Sequence, residues 1–299
     1  MALHPHAVRV TVPATSANLG PAFDCAGLAF DLRDELVAMV TDDPGVLVEV
    51  EGEGADEVAR DGSHLVVRAM AAGFAALGES PAGLVLRCRN AIPHGRGLGS
   101  SAAAIIGGLV LARALTVDGT QRMSDDDLLQ VAVTMESHPD NLSAALLGGF
   151  TLSWRDDDGV AGAVSLALHP DIEVTLCVPM ATLPTKAARA MLPSAVPLAD
   201  ASWNVSRSAL LVHALTRDPS LLMEATRDRL HQDARAQAYA DSTALMTLLR
   251  SSGIPAVISG AGPTVLAFGA VDQVAAPGWS LMRPAISPAG AQVQERPEA

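Results

Sequence analysis

The stretch Pro93-His-Gly-Arg-Gly-Leu-Gly-Ser-Ser-Ala-Ala103 joins a predicted strand, Leu84–Cys88, to a strongly apolar segment. Its glycines, Gly95, Gly97 and Gly99, stand at alternate positions and allow backbone N–H groups to approach a ligand closely. Two serines open the apolar segment, which predicts a helix whose N-terminus carries free N–H groups and about half a positive charge. A loop of this kind favours the binding of a phosphate group.

Two known phosphate motifs do not match this loop. The P-loop pattern needs a lysine after its last glycine, where Ser100 stands. The dinucleotide pattern G-x-G-x-x-G fails because Gly99 comes one position too early. A tight strand-to-helix turn with a serine cap is the other interpretation, and the residues alone leave both open. Serine hydroxyls at such a helix start are also suited to Mg²⁺ held by phosphates.

Two further polar segments are candidates for ligand binding. They run from Pro13 to Asp24 and from His138 to Asn141. Asparagine and aspartate are common turn formers, so residue chemistry alone favours plain loops for both segments, with Asp140 as a helix cap. Glu136 lies just before the second segment. Together with a phosphate loop in the same lobe, it becomes a candidate second ligand for Mg²⁺.

Composition excludes several classes of function. The chain has 299 residues and a formal net charge of −13, which argues against nucleic acid and anionic membranes as partners. Its three cysteines lie far apart, as expected for reduced thiols in a cytoplasmic protein. We see no signal peptide, and the longest apolar run, Ala102–Ala112, is too short to span a bilayer. The sequence thus predicts a soluble, cytoplasmic protein.

Strand-like and helix-like segments alternate along the whole chain and predict an α+β fold in two lobes. A hydrophilic turn at Arg155–Gly159 marks the predicted boundary. We therefore expect an N-terminal lobe over residues 1–155 and a C-terminal lobe over residues 156–299.

Four segments together resemble a known family. They are PATSANLGPAFDCAGLAF, IPHGRGLGSSAAA, ESHPDNLSAALLGGF and ISGAGPTVLAF, and they occur in this order along the chain. Their spacing resembles that of homoserine kinases of the GHMP kinase superfamily, from about Val8 to about Val293. The glycine loop alone indicates only the superfamily, whereas the other segments are more specific.

The resemblance implies a fold and an activity. The N-terminal lobe would be ribosomal-protein-S5-like and cradle ATP, and the C-terminal lobe would be ferredoxin-like, with the substrate between them. Family members need Mg²⁺ and transfer the γ-phosphoryl group of ATP to L-homoserine, on the route to threonine. They are often dimers, so a homodimer is also implied. Another GHMP-type small-molecule kinase, or a non-catalytic ligand-binding protein with this fold, remains as an alternative.

The resemblance also implies the residues of the site. Nucleotide contacts fall on Pro93, His94, Gly95, Arg96, Gly97, Leu98, Gly99, Ser100, Ser101, Ala102, Gly260 and Gly262. Contacts to homoserine fall on Asn18, Asp24, Asp140, Asn141, Thr185, Arg189, His231 and Arg235. The expected Mg²⁺ ligands are Ser101 and Glu136. The expected catalytic residues are Asn18, Asp24, Asn141 and Arg189.

The chemistry of these residue types suits the implied roles. A guanidinium binds a carboxylate through two parallel hydrogen bonds, which fits an arginine on an amino-acid substrate. Asp24 would orient the attacking hydroxyl, and whether it also accepts the proton stays open. Ala22 stands where the family usually has glycine, and His64 replaces an asparagine often found near adenine. Glu136 lies two residues before His138, whereas some family members place the corresponding glutamate further upstream.

Overall fold

The structure is a computed structural model that describes residues 2–274 and 277–294, without the side chain of Thr185. Its strands are β1 Val8–Ala17, β2 Ala26–Thr41, β3 Gly45–Gly52, β4 Gly83–Asn90, β5 Phe150–Arg155, β6 Ala161–Leu166, β7 Val174–Pro179, β8 Ala256–Ile258, β9 Val265–Phe268, β10 Trp279–Met282 and β11 Gln292–Gln294. Its α-helices are α1 Leu65–Ala76, α2 Ser100–Leu115, α3 Gly119–Arg122, α4 Asp125–Met135, α5 Pro139–Leu147, α6 Thr185–Ala190, α7 Leu198–Thr216, α8 Leu222–Ala225, α9 Gln232–Arg235 and α10 Ala240–Ser251. Short 3₁₀ turns cover Pro219–Leu221 and Ala236–Tyr239. The predicted α+β class is confirmed.

The first sheet carries the strands in the order β11-β1-β2-β4-β3, and β5 and β6 extend it beside β2. All its pairs are antiparallel except β3 with β4. Strand β2 is the longest, and it pairs with β1, β4 and β5 along different parts of its length. Its register with β1 shifts between Pro13 and Ala14. Beyond this shift β1 continues into the first polar segment.

Helix α2 is the apolar helix that the sequence predicts, and most of its residues are buried. Two glycines allow it to pack closely on both sides. A Cβ at Gly107 would meet Leu36 of β2, and a Cβ at Gly108 would meet Val66 of α1. Close packing against strand and helix fixes the position of the α2 N-terminus, and with it the glycine loop.

The second sheet carries the strands in the order β10-β7-β9-β8, all antiparallel. The predicted strands at Ile172–Val178 and Thr264–Phe268 correspond to β7 and β9. Only part of the helix predicted over Leu221–Asp228 forms, because α8 ends at Ala225. Between β8 and β9 a tight turn carries the segment SGAGP toward the first sheet.

The chain crosses between the two sheets more than once. Strands β5 and β6 form one hairpin of the first sheet, and the predicted boundary at residue 155 lies inside it. Strand β11 returns to pair with β1. The division into residues 1–155 and 156–299 stays a prediction, and residues 295–299 lie outside the described part. Within residues 2–274 and 277–294, no helix combines the length and apolarity needed to cross a membrane.

Candidate active site

The glycine loop connects β4 to α2 and has the backbone shape of a phosphate-binding loop. Gly95, Gly97 and Gly99 have φ angles of 65°, 73° and 72°, in the left-handed region that glycine tolerates best. Gly99 stands at the N-cap of α2 and has no side chain with which to cap the first N–H groups. Those N–H groups are therefore available to an anionic ligand, as the sequence predicts.

The turn between β8 and β9 braces the loop from the second sheet. The Ser259 hydroxyl donates a hydrogen bond of 2.6 Å to the Gly97 carbonyl oxygen and lies 2.8 Å from the Ser16 hydroxyl. A Cβ at Gly260 would lie 3.3 Å from that same carbonyl oxygen, and a Cβ at Gly97 would lie 2.9 Å from the Gly262 oxygen. Gly260 and Gly262 thus contact the loop itself.

Arg96 points away from the inside of the loop. Its guanidinium donates to the carbonyl oxygens of Pro179 at 3.0 Å, Met180 at 3.0 Å and His94 at 3.1 Å. The side chain therefore ties the loop to the end of β7. Its predicted contact with nucleotide stays a prediction, and in this geometry the backbone of Arg96 is better placed for it than the occupied guanidinium.

Ser101 and Glu136 meet at the start of α2. Glu136 follows the last residue of α4 and is half-buried. Burial raises the pKa of its carboxyl, and a hydrogen bond from Ser101 partly counters this rise. The two oxygen donors predicted as Mg²⁺ ligands are therefore neighbours in space. Among the described residues, no group of three His, Cys, Asp or Glu side chains has the geometry to hold a metal ion.

Asp24 and Arg189 form a two-pronged ion pair between segments far apart in sequence. Both terminal nitrogens of Arg189 donate to the Asp24 carboxylate, at distances of 2.8 to 2.9 Å. Both side chains are about one third exposed, 33% for Arg189 and 31% for Asp24. The pair therefore faces a space that a small molecule is able to enter.

Phe23 is the centre of this cluster, and sequence reasoning missed it. The guanidinium carbons of Arg189 and Arg235 lie 5.2 and 5.4 Å from its ring centre, and the His231 ring stacks on it at 4.9 Å. An aromatic face attracts cations, so Phe23 holds both arginines on the same side of the cleft. Its place next to Asp24 in the quoted segment was the signal available in the sequence.

His231 and Arg235 are more enclosed than the ion pair. His231 is 1% exposed, and its Nε2 lies 2.7 Å from the Gly20 carbonyl oxygen. Arg235 is 3% exposed and donates through Nε to the Ala188 carbonyl oxygen at 3.2 Å. Thr185 belongs to the same predicted set, but its side chain lies outside the described part of the structure.

Asn18 and Asn141 use their amides to join the predicted site segments to each other. Asn18 accepts from the Asp24 backbone N–H at 3.0 Å and donates to the Gly260 carbonyl oxygen at 2.9 Å. Asn141 accepts from the Thr15 hydroxyl at 2.8 Å. Asn18 thus holds Asp24 against the bracing turn. Direct contact of either amide with a substrate stays a prediction.

Asp140 is a buried carboxyl at the start of α5. It accepts the Asn141 backbone N–H at 2.7 Å and is 3% exposed. Burial raises its pKa to about 7, and the nearby charges of Asp24 and Glu136 add to the rise. Asp140 is therefore near enough to both Asp24 and Glu136 for their charges to affect its pKa.

A cavity of about 370 Å³ adjoins the glycine loop. Its lining includes Gly95, Ser100 and Ser101 of the loop and α2, together with His64 and His94. The sequence comparison with the family singled out His64, and the structure places it in this cavity. His64 also caps α1, because its Nδ1 accepts the Val66 N–H at 3.3 Å.

Comparison with known proteins agrees with this geometry. Residues 64–149 match the family "GHMP kinases N terminal domain". The homoserine kinase of Streptomyces coelicolor is 50% identical over 293 residues, which cover 96% of this chain and 94% of that protein. The chain belongs to the homoserine kinase family. The homoserine kinase of Mycobacterium tuberculosis is 51% identical over 261 residues, covering 86% of this chain and 82% of that protein.

Solved structures of the family share the whole fold. The crystal structure of homoserine kinase from Cytophaga hutchinsonii matches with a TM-score of 0.84 at 25% identity, over 96% of this chain and 97% of that one. A mevalonate kinase from L. major matches with a TM-score of 0.71 at 14% identity, over 97% of this chain and 98% of that one, which is a likeness of fold alone. The predicted GHMP kinase fold is confirmed.

Proposed function

We propose that this chain transfers the γ-phosphoryl group of ATP to the side-chain hydroxyl of L-homoserine. The product is O-phospho-L-homoserine, an intermediate on the route to threonine. Family membership supports the proposal, and one observation carries it further. The paired Asp24 and Arg189 are partly exposed and offer one negative and one positive group to an amino acid, and Asn18 links Asp24 to Gly260 of the turn that braces the loop.

The residues of the site divide the work of phosphoryl transfer, which depends mainly on positioning and on stabilising charge. The backbone N–H groups of the glycine loop and of the α2 N-terminus bind the phosphates. Arg189 and Arg235 bind the substrate carboxylate, for which a guanidinium has a matching geometry. Asp24 orients the hydroxyl that attacks. Asn18 holds Asp24 in position through the hydrogen bond to its backbone.

We further propose that Ser101 and Glu136 hold Mg²⁺ together with the phosphates of ATP. A hydroxyl and a carboxylate are oxygen donors of the kind that Mg²⁺ prefers, and it usually takes few protein ligands. Their neighbouring positions beside the loop fit this role. When bound, Mg²⁺ would neutralise part of the negative charge on the transferred group.

We also propose that the protein works in the cytoplasm and forms a homodimer. Cys25, Cys88 and Cys177 are all free thiols, which supports a reducing compartment. The homodimer rests on the family resemblance alone.

The test is release of ADP with Mg-ATP and one acceptor at a time: L-homoserine, mevalonate, galactose or none. We expect ADP with L-homoserine only. In the Asp24→Asn variant we expect turnover with L-homoserine to fall by about 100-fold or more, while ADP binding persists. Activity with another acceptor instead would keep the family and discard the substrate. An unchanged kcat in the variant would remove Asp24 from the mechanism.

A further inference from the structure

The cavity beside the glycine loop contains a carboxyl group that no predicted role uses. Asp34 lies on β2, lines the cavity and is 6% exposed. Its Oδ1 accepts the backbone N–H groups of Ala91 at 2.7 Å and Ile92 at 2.9 Å. These bonds fix the carboxyl group just before the glycine loop begins.

The second oxygen of Asp34 is left for a ligand. Among the described residues, none donates a hydrogen bond to Oδ2, although this atom is not enclosed by protein. A bound molecule that supplies an N–H or O–H is therefore able to make a charge-assisted hydrogen bond to this oxygen. Burial raises the pKa of Asp34 to about 6, and the group is mainly ionised at neutral pH.

His64 also lines the cavity and supplies the opposite hydrogen-bonding character. Its Nδ1 accepts the Val66 N–H, so the neutral ring carries its proton on Nε2. Burial lowers the pKa of His64, as does the nearby His94, and both effects favour the neutral ring. Among the polar side chains that line the cavity, Asp34 therefore offers an acceptor and His64 offers a donor.

This combination matches one kind of purine. The N6/N7 edge of adenine presents one donor, the 6-amino group, and one acceptor, N7. The same edge of a 6-oxopurine such as guanine or hypoxanthine presents two acceptors, O6 and N7. A 6-oxo group facing a carboxylate would leave two acceptors opposed without a proton between them.

We propose that Asp34 binds the 6-amino group of adenine and makes this cavity select adenine nucleotides over 6-oxopurine nucleotides. The inference rests on the proposed function, because it needs a nucleotide whose phosphates lie on the glycine loop. It adds a specificity-determining residue to that function.

The test compares ADP with IDP, its 6-oxo analogue, by calorimetric titration of the wild-type protein and the Asp34→Asn variant. Asparagine keeps Oδ1 for Ala91 and Ile92 but replaces Oδ2 with an N–H donor. We expect the wild-type protein to bind ADP at least about tenfold more tightly than IDP. In the variant the preference should disappear or reverse.

Glu53→Gln is the matched control. Glu53 is an exposed acid close enough to Asp34 to raise its pKa, but it does not line the cavity. Its substitution removes the same charge and should leave the ratio of ADP to IDP affinity as in the wild type. If the ratio of ADP to IDP affinity changes in this control, the preference depends on negative charge near the cavity and not on a hydrogen bond to Asp34, and the assignment is overturned.

Two other results would also overturn it. One is a wild-type protein that binds ADP and IDP equally well. The other is an Asp34→Asn variant in which both affinities fall by the same factor, as expected if the carboxyl only supports the loop. Because the measurement is of nucleotide binding, a protein that selects ADP but phosphorylates no homoserine would refute the proposed function and leave the role of Asp34 standing.

Discussion

Asp24 lies in a stretch with an unusual backbone. Asn18, Leu19 and Asp24 have φ angles of 69°, 49° and 54°, a region that residues other than glycine seldom adopt. The surrounding structure compensates for this strain: Leu19 is fully buried, and the Asn18 side chain bonds to the Asp24 backbone. Strain of this kind collects at functional sites, where the fold holds a side chain in a required orientation.

We predict that Arg189→Leu and Arg235→Leu each raise the KM for L-homoserine by about tenfold or more, with a much smaller change in the KM for ATP. Each substitution removes a guanidinium that the cluster around Phe23 directs into the cleft. Steady-state kinetics with each substrate varied in turn measure both constants. Arg217→Leu, at an exposed position after α7, should leave both unchanged. A rise confined to the KM for ATP contradicts the assignment.

Asp140 should make stability fall as the pH rises. The folded state keeps its proton up to about pH 7, whereas the unfolded chain loses it near 3.8. Between these values the folded state binds more protons, so the free energy of unfolding decreases with rising pH, by at most about 1.4 kcal/mol per pH unit.

The Asp140→Asn variant lacks this titration. The free energy of unfolding of the wild type should therefore fall relative to that of the variant from pH 5 to pH 7, as measured by urea denaturation of both. Asp157→Asn, in the exposed turn after β5, should follow the wild-type curve. A constant difference between wild type and Asp140→Asn across this range would count against the raised pKa.

At the scale of elements, the join between the glycine loop and α2 depends on two glycine properties at once. Gly99 has a left-handed backbone, and a Cβ there would collide with the Thr15 hydroxyl. Gly78, which follows α1, has nearly the same φ of 71° but open space around it. The pair therefore separates backbone strain from steric collision.

We predict that Gly99→Ala lowers the free energy of unfolding by about 3 kcal/mol or more and weakens ADP binding, because strain and collision add. Gly78→Ala should cost about 1 to 2 kcal/mol, from strain alone, and leave ADP binding intact. Guanidinium denaturation and calorimetric titration measure the two effects. If both variants lose the same free energy of unfolding, the Thr15 side chain moves away from the added methyl group without cost, and the predicted collision is wrong.

Sequence reasoning predicted these elements unevenly. The loop and α2 were predictable because glycine spacing and an uninterrupted apolar run are local signals. Strand β2 was missed. Its middle, Asp31–Glu35, contains three acids and an arginine, which disfavour a strand and hide the alternating pattern. The environment overrides this preference: Asp34 caps two backbone N–H groups, and Arg33 donates to Thr11 and Ser287.

The site shows the same limit. The family resemblance predicted the polar residues of the candidate site, but the partners that they contact depend on how distant segments meet. Arg189 lies 165 positions after Asp24, and Ser259 lies 162 positions after Gly97. The role of Phe23 and the outward direction of Arg96 follow only from such contacts, so no local pattern contains them.

At the scale of the whole molecule, Arg96 connects the two sheets. It belongs to the loop that leaves the first sheet, and its guanidinium bonds to Pro179 and Met180 at the end of β7 in the second. The Ser259 hydroxyl makes a second connection in the same place. The phosphate loop is thus shaped by both sheets, although its residues come from one.

We predict that Arg96→Ala lowers the free energy of unfolding by about 1 to 3 kcal/mol and raises the KM for ATP, because three hydrogen bonds from a charged donor are lost. Arg68→Ala, on the exposed side of α1, should change stability by less than about 0.5 kcal/mol. Urea denaturation compares the two. If Arg96→Ala is as mild as the control, the connection through its side chain contributes nothing to the coupling of the sheets.

The ion pair of Asp24 and Arg189 determines how a substrate enters. Because Asp24 and Arg189 neutralise each other, neither charge is unpaired in the cleft before a ligand binds. Under the proposed function, a zwitterionic amino acid exchanges partners with them: its carboxylate binds the arginine, and its ammonium and attacking hydroxyl face the aspartate. Entry is then an exchange between two neutral pairs, and no net charge has to leave water. A molecule with only one of the two charges would pair with one of these residues and leave the other, Asp24 or Arg189, without a counter-ion. That unpaired charge in the cleft disfavours its binding.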